Sequence, residues 1–263
     1  IIGFVYEYPF YKGTWIKEKP YQDFELFQPK SRFTDDTTMS LAIAEALLQE
    51  KSYESCLHQY GNEYWGVGYG GNFKKWLKTS VDEIAPYDSF GNGSAMRVGA
   101  VAWAFDSEEK VLEEAKKTAL PTHNHLEGIK GAEATALATY MARKGQSKEL
   151  IKTRIQEKFG YDLERKTSDI RPNYNFDVTC QGSVPESILC FLEANSVEDT
   201  IRLAISLGGD TDTMAAIGGG IALAYYQELP KTIYENVEQY LDEHLWHVLK
   251  TFEKKYQVNY NLI

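Results

Sequence analysis

Residues 208–213, Gly208-Gly209-Asp210-Thr211-Asp212-Thr213, separate two helical patterns towards the C-terminal end of the chain. Before them, Val197 to Leu207 repeats apolar residues at helical spacing, and after them Met214 to Tyr226 is an apolar run rich in small residues. The glycine pair occupies the position of a helix C-cap, and Asp210 occupies that of an N-cap. The stretch therefore predicts two consecutive helices, with two carboxylates at the start of the second.

These two carboxylates suggest a cation site. Asp210 and Asp212 lie one residue apart, and the hydroxyl of Thr213 stands beside the second. Ligand sets made only of oxygen suit Mg²⁺ or Mn²⁺ better than zinc. The simpler interpretation is an acidic helix N-terminus, where unpaired N–H groups and the helix dipole favour aspartate. One stretch of this kind is explained by helix capping alone.

A second acidic stretch changes this balance. Arg32-Phe33-Thr34-Asp35-Asp36-Thr37-Thr38 also combines adjacent carboxylates with hydroxyls, and it stands directly before a predicted helix from Thr38 to Gln49. If the two helix starts face each other, four carboxylates and at least two hydroxyls converge. Like charges at such distances stay ionised only with cations among them, so we expect two metal ions.

The rest of the chain predicts an all-α fold in one domain spanning residues 1–263. Helical periodicity predicts further helices over residues 53–64, 72–79, 108–118, 125–143, 147–158, 183–194 and 233–256. Residues 160–182 are polar and irregular and predict a lid or a short two-stranded excursion. Residues 66–71 match the dinucleotide fingerprint G-x-G-x-x-G, but they follow an amphipathic helix rather than a buried strand, so we reject that interpretation.

Composition limits the partners and the compartment. The net charge is −10 and no basic run stands out, which argues against nucleic acid or an anionic membrane as a partner. Cys56, Cys180 and Cys190 lack metal-ligand spacing and cannot all pair, which favours a reducing, cytoplasmic compartment. The longest uncharged apolar run, Met214 to Tyr226, is too short to cross a bilayer. We expect a cytoplasmic monomer.

Three smaller features remain open from the sequence. Asp88 to Arg97 is a Gly/Asn/Ser turn that opens onto an apolar stretch, and such a turn is either a phosphate cradle or a tight turn with an N-cap. His123 contacts a ligand, caps the helix that follows, or is a packed side chain. His244 and His247 have the i,i+3 spacing of metal ligands, but without a third ligand we expect a helix surface role.

Together these pieces resemble the ADP-ribosylglycohydrolase family over nearly the whole chain. The resemblance is carried by Gly3 to Glu7, Phe33 to Thr37, Gly91 to Arg97, Thr122-His123, Ser183 to Glu186, and Gly208 to Thr213. It implies an orthogonal multi-helix domain with a binuclear Mg²⁺ or Mn²⁺ centre at the floor of a cleft.

The resemblance also implies roles for individual residues. It implies metal ligands at Thr34, Asp35, Asp36, Asp210, Asp212 and Thr213. It implies catalytic roles for Glu7, Asp36 and Asp212, with Glu7 touching a metal ion or its water. It implies contacts to ADP-ribose at Gly70, Ser89, Phe90, Gly91, Asn92, Gly93 and His123.

The activity implied is metal-dependent hydrolysis of the bond between ADP-ribose and an acceptor. The partner is then an ADP-ribosylated protein or a small-molecule conjugate of ADP-ribose, with the acceptor undetermined among arginine, serine, a base or an ester. We expect residues 8–30 and 160–182 to form the cleft rim. Two alternatives stay open: a binuclear-metal nucleotide phosphoesterase, and a family member that binds ADP-ribose without catalysis.

Overall fold

The regular structure is almost entirely helical in the computed structural model, which describes residues 1–7, 14–18 and 20–263. The helices are α1 Thr14–Glu18, α2 Asp35–Gln49, α3 Tyr53–Glu63, α4 Gly71–Leu77, α5 Gly93–Met96, α6 Val101–Ala104, α7 Glu108–Ala119, α8 Leu126–Arg143, α9 Lys148–Phe159, α10 Thr167–Ile170, α11 Cys180–Glu193, α12 Val197–Ser206, α13 Thr211–Tyr226, α14 Lys231–Tyr240 and α15 Glu243–Tyr256. Turns of 3₁₀ helix occupy Gly3–Tyr6, Val81–Glu83 and Val98–Ala100, and β1 Glu228–Leu229 pairs in parallel with β2 Asn261–Leu262. The all-α prediction is confirmed.

Two helices carry most of the packing. Helix α8 packs against α7, α11 and α13, and α13 packs against α11 and α12 as well. Half of the residues of α8 are Ala, Gly or Thr, which lets neighbouring helices approach on several sides. Ala134 and Leu137 belong to the hydrophobic cluster around α11 to α13, whereas Ala132 and Ala136 belong to the cluster around α2, α3 and α15. Helix α8 therefore lies between the two clusters.

The start of α13 is fixed by its neighbours. Gly208 has a φ of 74°, the left-handed conformation that glycine favours after a helix, and it turns the chain between α12 and α13. Farther along α13, a Cβ on Gly218 would lie 2.9 Å from the carbonyl oxygen of Ser187 on α11. The glycine permits close contact between α11 and α13, and this packing fixes the position of α13.

Three predicted helices differ from the structure. Helix α2 begins at Asp35 rather than at Thr38, so Asp35 and Asp36 lie in its first turn. The prediction of one helix over 233–256 is wrong, because Leu241 is extended and the side chain of Asp242 accepts a hydrogen bond from Leu245 N at 2.8 Å, which starts α15 anew. Helix α11 begins at Cys180 rather than at residue 183. Thr179 caps it, while the Ser183 hydroxyl donates to the carbonyl oxygen of Asp177 instead.

The segment 160–182 contains α10 and one antiparallel bridge between Gly91 and Thr179, rather than a two-stranded excursion of its own. None of the helices in the described residues combines the length and the apolar character that a membrane crossing requires.

Candidate active site

The starts of α2 and α13 face each other. The hydroxyl oxygen of Thr34 lies 3.0 Å from Asp36 Oδ2 and 3.1 Å from Asp212 Oδ2. The hydroxyl has one proton, so it donates to only one of these carboxylates at a time. Two acidic stretches that are 178 residues apart in sequence are therefore in direct contact.

Glu7 joins this cluster from the N-terminal 3₁₀ turn. One carboxylate oxygen each from Glu7, Asp210 and Asp212 lies within 4.8 Å of the others. The Thr211 hydroxyl donates to the Gly3 carbonyl oxygen at 2.9 Å, which fastens the turn to α13. A Cβ on Gly3 would lie 2.5 Å from Asp212 Cα, so only glycine permits this approach.

The carboxylates are poorly solvated and repel one another. Burial, and then the charges of Asp212 and Asp35, raise the pKa of Glu7 to about 8. Burial followed by the Asp212 charge raises the pKa of Asp35 to about 7. The same two causes hold the pKa values of Asp36 and Asp210 well above the usual range for aspartate. Without a counter-charge, the cluster favours bound protons.

The oxygen atoms fit a divalent cation. Asp36 Oδ1 is buried and has no hydrogen-bond partner among the described residues, which is costly unless a ligand of opposite charge contacts it. The potential metal-binding group among the described residues consists of the carboxylates of Glu7, Asp210 and Asp212, and the hydroxyls of Thr34 and Thr213 line the same cavity. This donor chemistry is that of Mg²⁺ or Mn²⁺.

Asn92 connects the acidic cluster to the loop before α5. Its side-chain amide donates to Asp210 Oδ2 at 2.7 Å and to the Ser183 hydroxyl at 3.1 Å. Asp210 occupies the N-cap position of α13, as predicted, but its side chain makes no capping hydrogen bond. The carboxylate is oriented towards the site by Asn92.

The cluster lies in a cavity of about 470 Å³. The cavity is lined by Glu7, Thr34, Asp35, Asp36, Gly70, Ser89, Gly91, Asn92, Gly93, His123, Asp210, Asp212 and Thr213, all of which the sequence analysis had proposed for the site. Its other walls include Phe4, Met39, Tyr69, Tyr87, Phe176 and Val178. Phe176 and Val178 come from segment 160–182, which was expected to form part of the rim. Of the other expected rim segment, residues 16–18 and 20–30 do not line the cavity, and residues 8–13 and 19 lie outside the described residues.

Phe90 is not among the lining residues. Its side chain is 46% exposed and lies against the ring of His125, with the ring centroids 5.3 Å apart. Its carbonyl oxygen accepts from Cys180 N at 2.9 Å, so its backbone fastens the loop to α11.

Three backbone N–H groups of the loop 89–93 donate hydrogen bonds within the protein. Ser89 N donates to the Thr122 carbonyl oxygen, Gly91 N to the Ser89 hydroxyl, and Asn92 N to the Val178 carbonyl oxygen. The loop is therefore rigid, and fewer of its N–H groups face a ligand than the sequence motif suggests.

The glycine-rich stretch 66–71 supports α2. Asp35 N donates to the Val67 carbonyl oxygen at 3.1 Å, and Gly68 has a φ of 115°. A Cβ on Gly68 would lie 3.3 Å from Asp35 Oδ1. Gly70 caps α4 with its backbone and has open space around its Cα. This stretch opens no βαβ unit, which agrees with the rejection of a dinucleotide fingerprint.

The two histidines of α15 have a structural neighbour. His244 Nε2 lies 3.6 Å from Glu45 Oε2, and Glu45 also accepts hydrogen bonds from Tyr60 and Gln49. Neither His244 nor His247 takes part in a potential metal-binding group within the described part of the chain. His244 lies against Glu45 of α2 and Tyr60 of α3, and His247 is exposed.

Comparison with known proteins agrees with these observations. The sequence profile of the ADP-ribosylglycohydrolase family matches residues 1–261. ADP-ribosylhydrolase ARH3 of Homo sapiens is 28% identical over an alignment that covers 79% of this chain and 75% of the relative. ADP-ribosylarginine hydrolase Tri1 of Pseudomonas putida (strain GB-1) is 22% identical, with 74% of this chain and 58% of the relative covered.

A solved structure shares the fold. A chain described as an ADP-ribosylglycohydrolase-related protein complex superposes with a TM-score of 0.58 at 27% identity, over 73% of this chain and 71% of the solved one. The resemblance drawn from the sequence motifs is confirmed, since the family profile extends over every segment that contributes to the cavity floor. The chain therefore belongs to the ADP-ribosylglycohydrolase family and is an ADP-ribosyl hydrolase.

Proposed function

We propose that this protein hydrolyses the bond between an acceptor and the anomeric carbon of the ribose distal to adenine, with two Mg²⁺ or Mn²⁺ ions as cofactors. The observation that carries the proposal is the contact of Thr34 with both Asp36 and Asp212 at the floor of the cavity. It brings both acidic helix starts to one place, beside the glycine-rich loop that would hold a diphosphate.

Six residues would hold the metal ions. They are Thr34, Asp35, Asp36, Asp210, Asp212 and Thr213. The unpartnered oxygen of Asp36 and the raised pKa values of Asp35, Asp36 and Asp210 support this role, because a cation satisfies the first and relieves the second. Bound metal ions would supply positive charge that orients the ribose hydroxyls and makes a nearby water more acidic.

The carboxylates of Glu7, Asp36 and Asp212 would move the proton. Hydrolysis breaks the bond between the anomeric carbon and the acceptor, gives hydroxide to the carbon and gives a proton to the acceptor. Glu7 is only partly buried, and burial followed by the charges of Asp212 and Asp35 raises its pKa to about 8. A carboxyl group in this state holds and releases a proton near neutral pH.

The remaining site residues would position the nucleotide. Gly70, Ser89, Gly91, Asn92, Gly93 and His123 line the same cavity as the carboxylates, and Asn92 contacts Asp210 directly. Phe90 would contribute through its backbone or from the rim, since its side chain is outside the lining. A cavity of about 470 Å³ falls within the range of nucleotide-sized sites. Rigid positioning of this kind lowers the barrier by several kcal/mol.

The substrates we propose are ADP-ribosylated proteins or small-molecule conjugates of ADP-ribose. The names of the relatives support this class, because one is an ADP-ribosylhydrolase and another an ADP-ribosylarginine hydrolase. We propose that the protein acts as a monomer, because every residue named for the site comes from one chain.

The test is product analysis on a substrate panel. The purified protein would be incubated with arginine-linked, serine-linked and O-acyl-linked ADP-ribose, each with Mg²⁺, Mn²⁺ or EDTA, and the products separated by liquid chromatography with mass spectrometry. We expect intact ADP-ribose from at least one substrate, dependent on metal. Release of AMP would instead establish a phosphoesterase. Binding of ADP-ribose and Mg²⁺ without turnover on any substrate would establish a binding protein.

A further inference from the structure

His123 is joined to a buried arginine through one hydroxyl group. The guanidinium Nη2 of Arg97 donates to the Thr122 hydroxyl oxygen at 2.9 Å and to the Thr118 carbonyl oxygen at 2.7 Å. The same Thr122 oxygen lies 2.7 Å from His123 Nδ1. Arg97 is 1% exposed, Thr122 is fully buried and His123 is 5% exposed. The three side chains form a continuous hydrogen-bonded row at the cavity wall, which Arg97 and His123 both line.

The direction of these hydrogen bonds follows from the donors available. Arginine has no acceptor, so the Thr122 oxygen accepts from Arg97 and its own proton must go elsewhere. Among the described residues, His123 Nδ1 is the acceptor within reach of that proton. The reverse arrangement, with Nδ1–H as donor, would leave a fully buried hydroxyl proton without an acceptor, which is costly. The hydroxyl therefore donates to Nδ1.

The other ring nitrogen faces the cavity. His123 lines the cavity, and a Cβ on Gly91 or Gly93 would lie 3.6 Å or 3.4 Å from His123 Nε2. Glycine at both positions leaves the approach to this nitrogen open. Burial, and then the positive charge of Arg97, hold the pKa of His123 well below its usual range, which agrees with a neutral ring. A neutral ring that accepts at Nδ1 carries its proton on Nε2.

We propose that Arg97 and Thr122 are positioning residues that fix His123 as the neutral Nε2–H tautomer, so that this N–H donates to an oxygen of the nucleotide in the cavity. The identity of that nucleotide as ADP-ribose rests on the proposed function. The tautomer itself does not, because it follows from contacts within the protein. Nucleotide phosphate and ribose oxygens are acceptors, and a fixed donor binds them without a rotamer or proton rearrangement.

The tautomer is tested by nitrogen NMR on protein labelled with ¹⁵N-histidine. The His123 signals are identified by their loss in His123→Phe. We expect the wild-type protein to show an unprotonated Nδ1 and a protonated Nε2 at neutral pH. Thr122→Val is expected to produce a mixture of tautomers, whereas Thr122→Ser, which keeps the hydroxyl, is expected to restore the wild-type signals. A protonated Nδ1 in the wild-type protein would overturn the proposal.

The donor role is tested by calorimetric titration with ADP-ribose in the presence of Mg²⁺, after circular dichroism confirms that each variant is folded. His123→Phe is expected to weaken binding by about tenfold or more. The affinity of Thr122→Val for ADP-ribose should lie between that of His123→Phe and that of the wild-type protein. If Thr122→Val alters the tautomer but leaves the affinity unchanged, the donor role is refuted. If it alters the affinity but leaves the tautomer unchanged, the positioning role of Thr122 is refuted. Wild-type protein with the expected tautomer but no hydrolase activity would instead contradict the proposed function alone.

Discussion

Asp212 interacts electrostatically with each of the other four carboxylates of the acidic cluster, Glu7, Asp35, Asp36 and Asp210. Its Oδ2 lies against the Thr34 hydroxyl, and its Oδ1 accepts from Thr213 N at 3.1 Å. Its charge contributes to the raised pKa values of Glu7, Asp35, Asp36 and Asp210. A change at this residue should therefore affect metal binding and catalysis together.

Asp212→Asn is expected to reduce turnover by at least about 100-fold and to weaken Mg²⁺ binding, because it removes one negative charge at nearly constant volume. Turnover would be measured as ADP-ribose release, and binding by calorimetry. The matched control is Asp82→Asn, which removes the charge of an exposed aspartate outside the cavity and should leave both quantities unchanged. Full metal-dependent activity in Asp212→Asn would contradict the ligand assignment.

The candidate ligands were predictable from sequence because adjacent carboxylates before a helix form a local pattern. The walls of the cavity were not. Tyr69, Tyr87 and Phe176 lie in irregular segments, where an aromatic residue has no periodicity to indicate which way its side chain points. The bond from Asn92 to Asp210 was equally hidden, since it joins residues 118 positions apart.

Among the elements, the short turn Gly3–Tyr6 brings Glu7 to the acidic cluster. Thr211 holds it against the first turn of α13, and Gly3 allows the two backbones to approach. The position of Glu7 relative to Asp212 depends on this contact, because Glu7 directly follows the turn.

Gly3→Ala is expected to lower activity and to reduce the free energy of unfolding by about 1–3 kcal/mol, because the added methyl group would overlap the Asp212 backbone. Chemical denaturation and the ADP-ribose release assay measure the two effects. Gly99→Ala is the control, since a Cβ there meets no atom within 4 Å. Wild-type activity in Gly3→Ala would show that the approach of this turn to α13 is not required.

Helix positions were predicted best where a capping residue and a periodic pattern coincide. Ser147 and Ser196 cap α9 and α12 close to the expected positions. The break between α14 and α15 was missed because the amphipathic pattern continues across Leu241. The start of α11 was misplaced because Ser183 is a residue type that often caps helices. The capping hydrogen bond is made by Thr179, whose hydroxyl oxygen accepts from Gly182 N.

For the whole molecule, the acidic cluster lowers the free energy of unfolding when no cation is bound. In the folded protein the pKa of Glu7 is about 8 and that of Asp35 is about 7. In the unfolded chain these groups have their ordinary pKa values of 4.5 and 3.8. Between these limits the folded state binds more protons than the unfolded state, so stability falls as pH rises.

We therefore expect the thermal midpoint of the protein in EDTA to fall as the pH is raised from about 5 to about 8. Saturating Mg²⁺ should raise the midpoint most at the upper end of this range, because cations replace the protons and bind only the folded state. Differential scanning calorimetry with and without Mg²⁺ measures both effects. A midpoint in EDTA that rises with pH, or a Mg²⁺ effect independent of pH, would contradict the account.

Two contacts of the site join residues that are far apart in sequence. Thr34 contacts Asp212, 178 residues away, and Gly3 contacts Thr211, 208 residues away. These contacts also constrain the order of events during synthesis. A chain emerging from the ribosome exposes the Asp35-Asp36 pair long before its counterpart exists, and the pocket cannot close until α13 has left the exit tunnel. Chains that terminate before α13 should accordingly be inactive, because they lack Asp212 and Thr213.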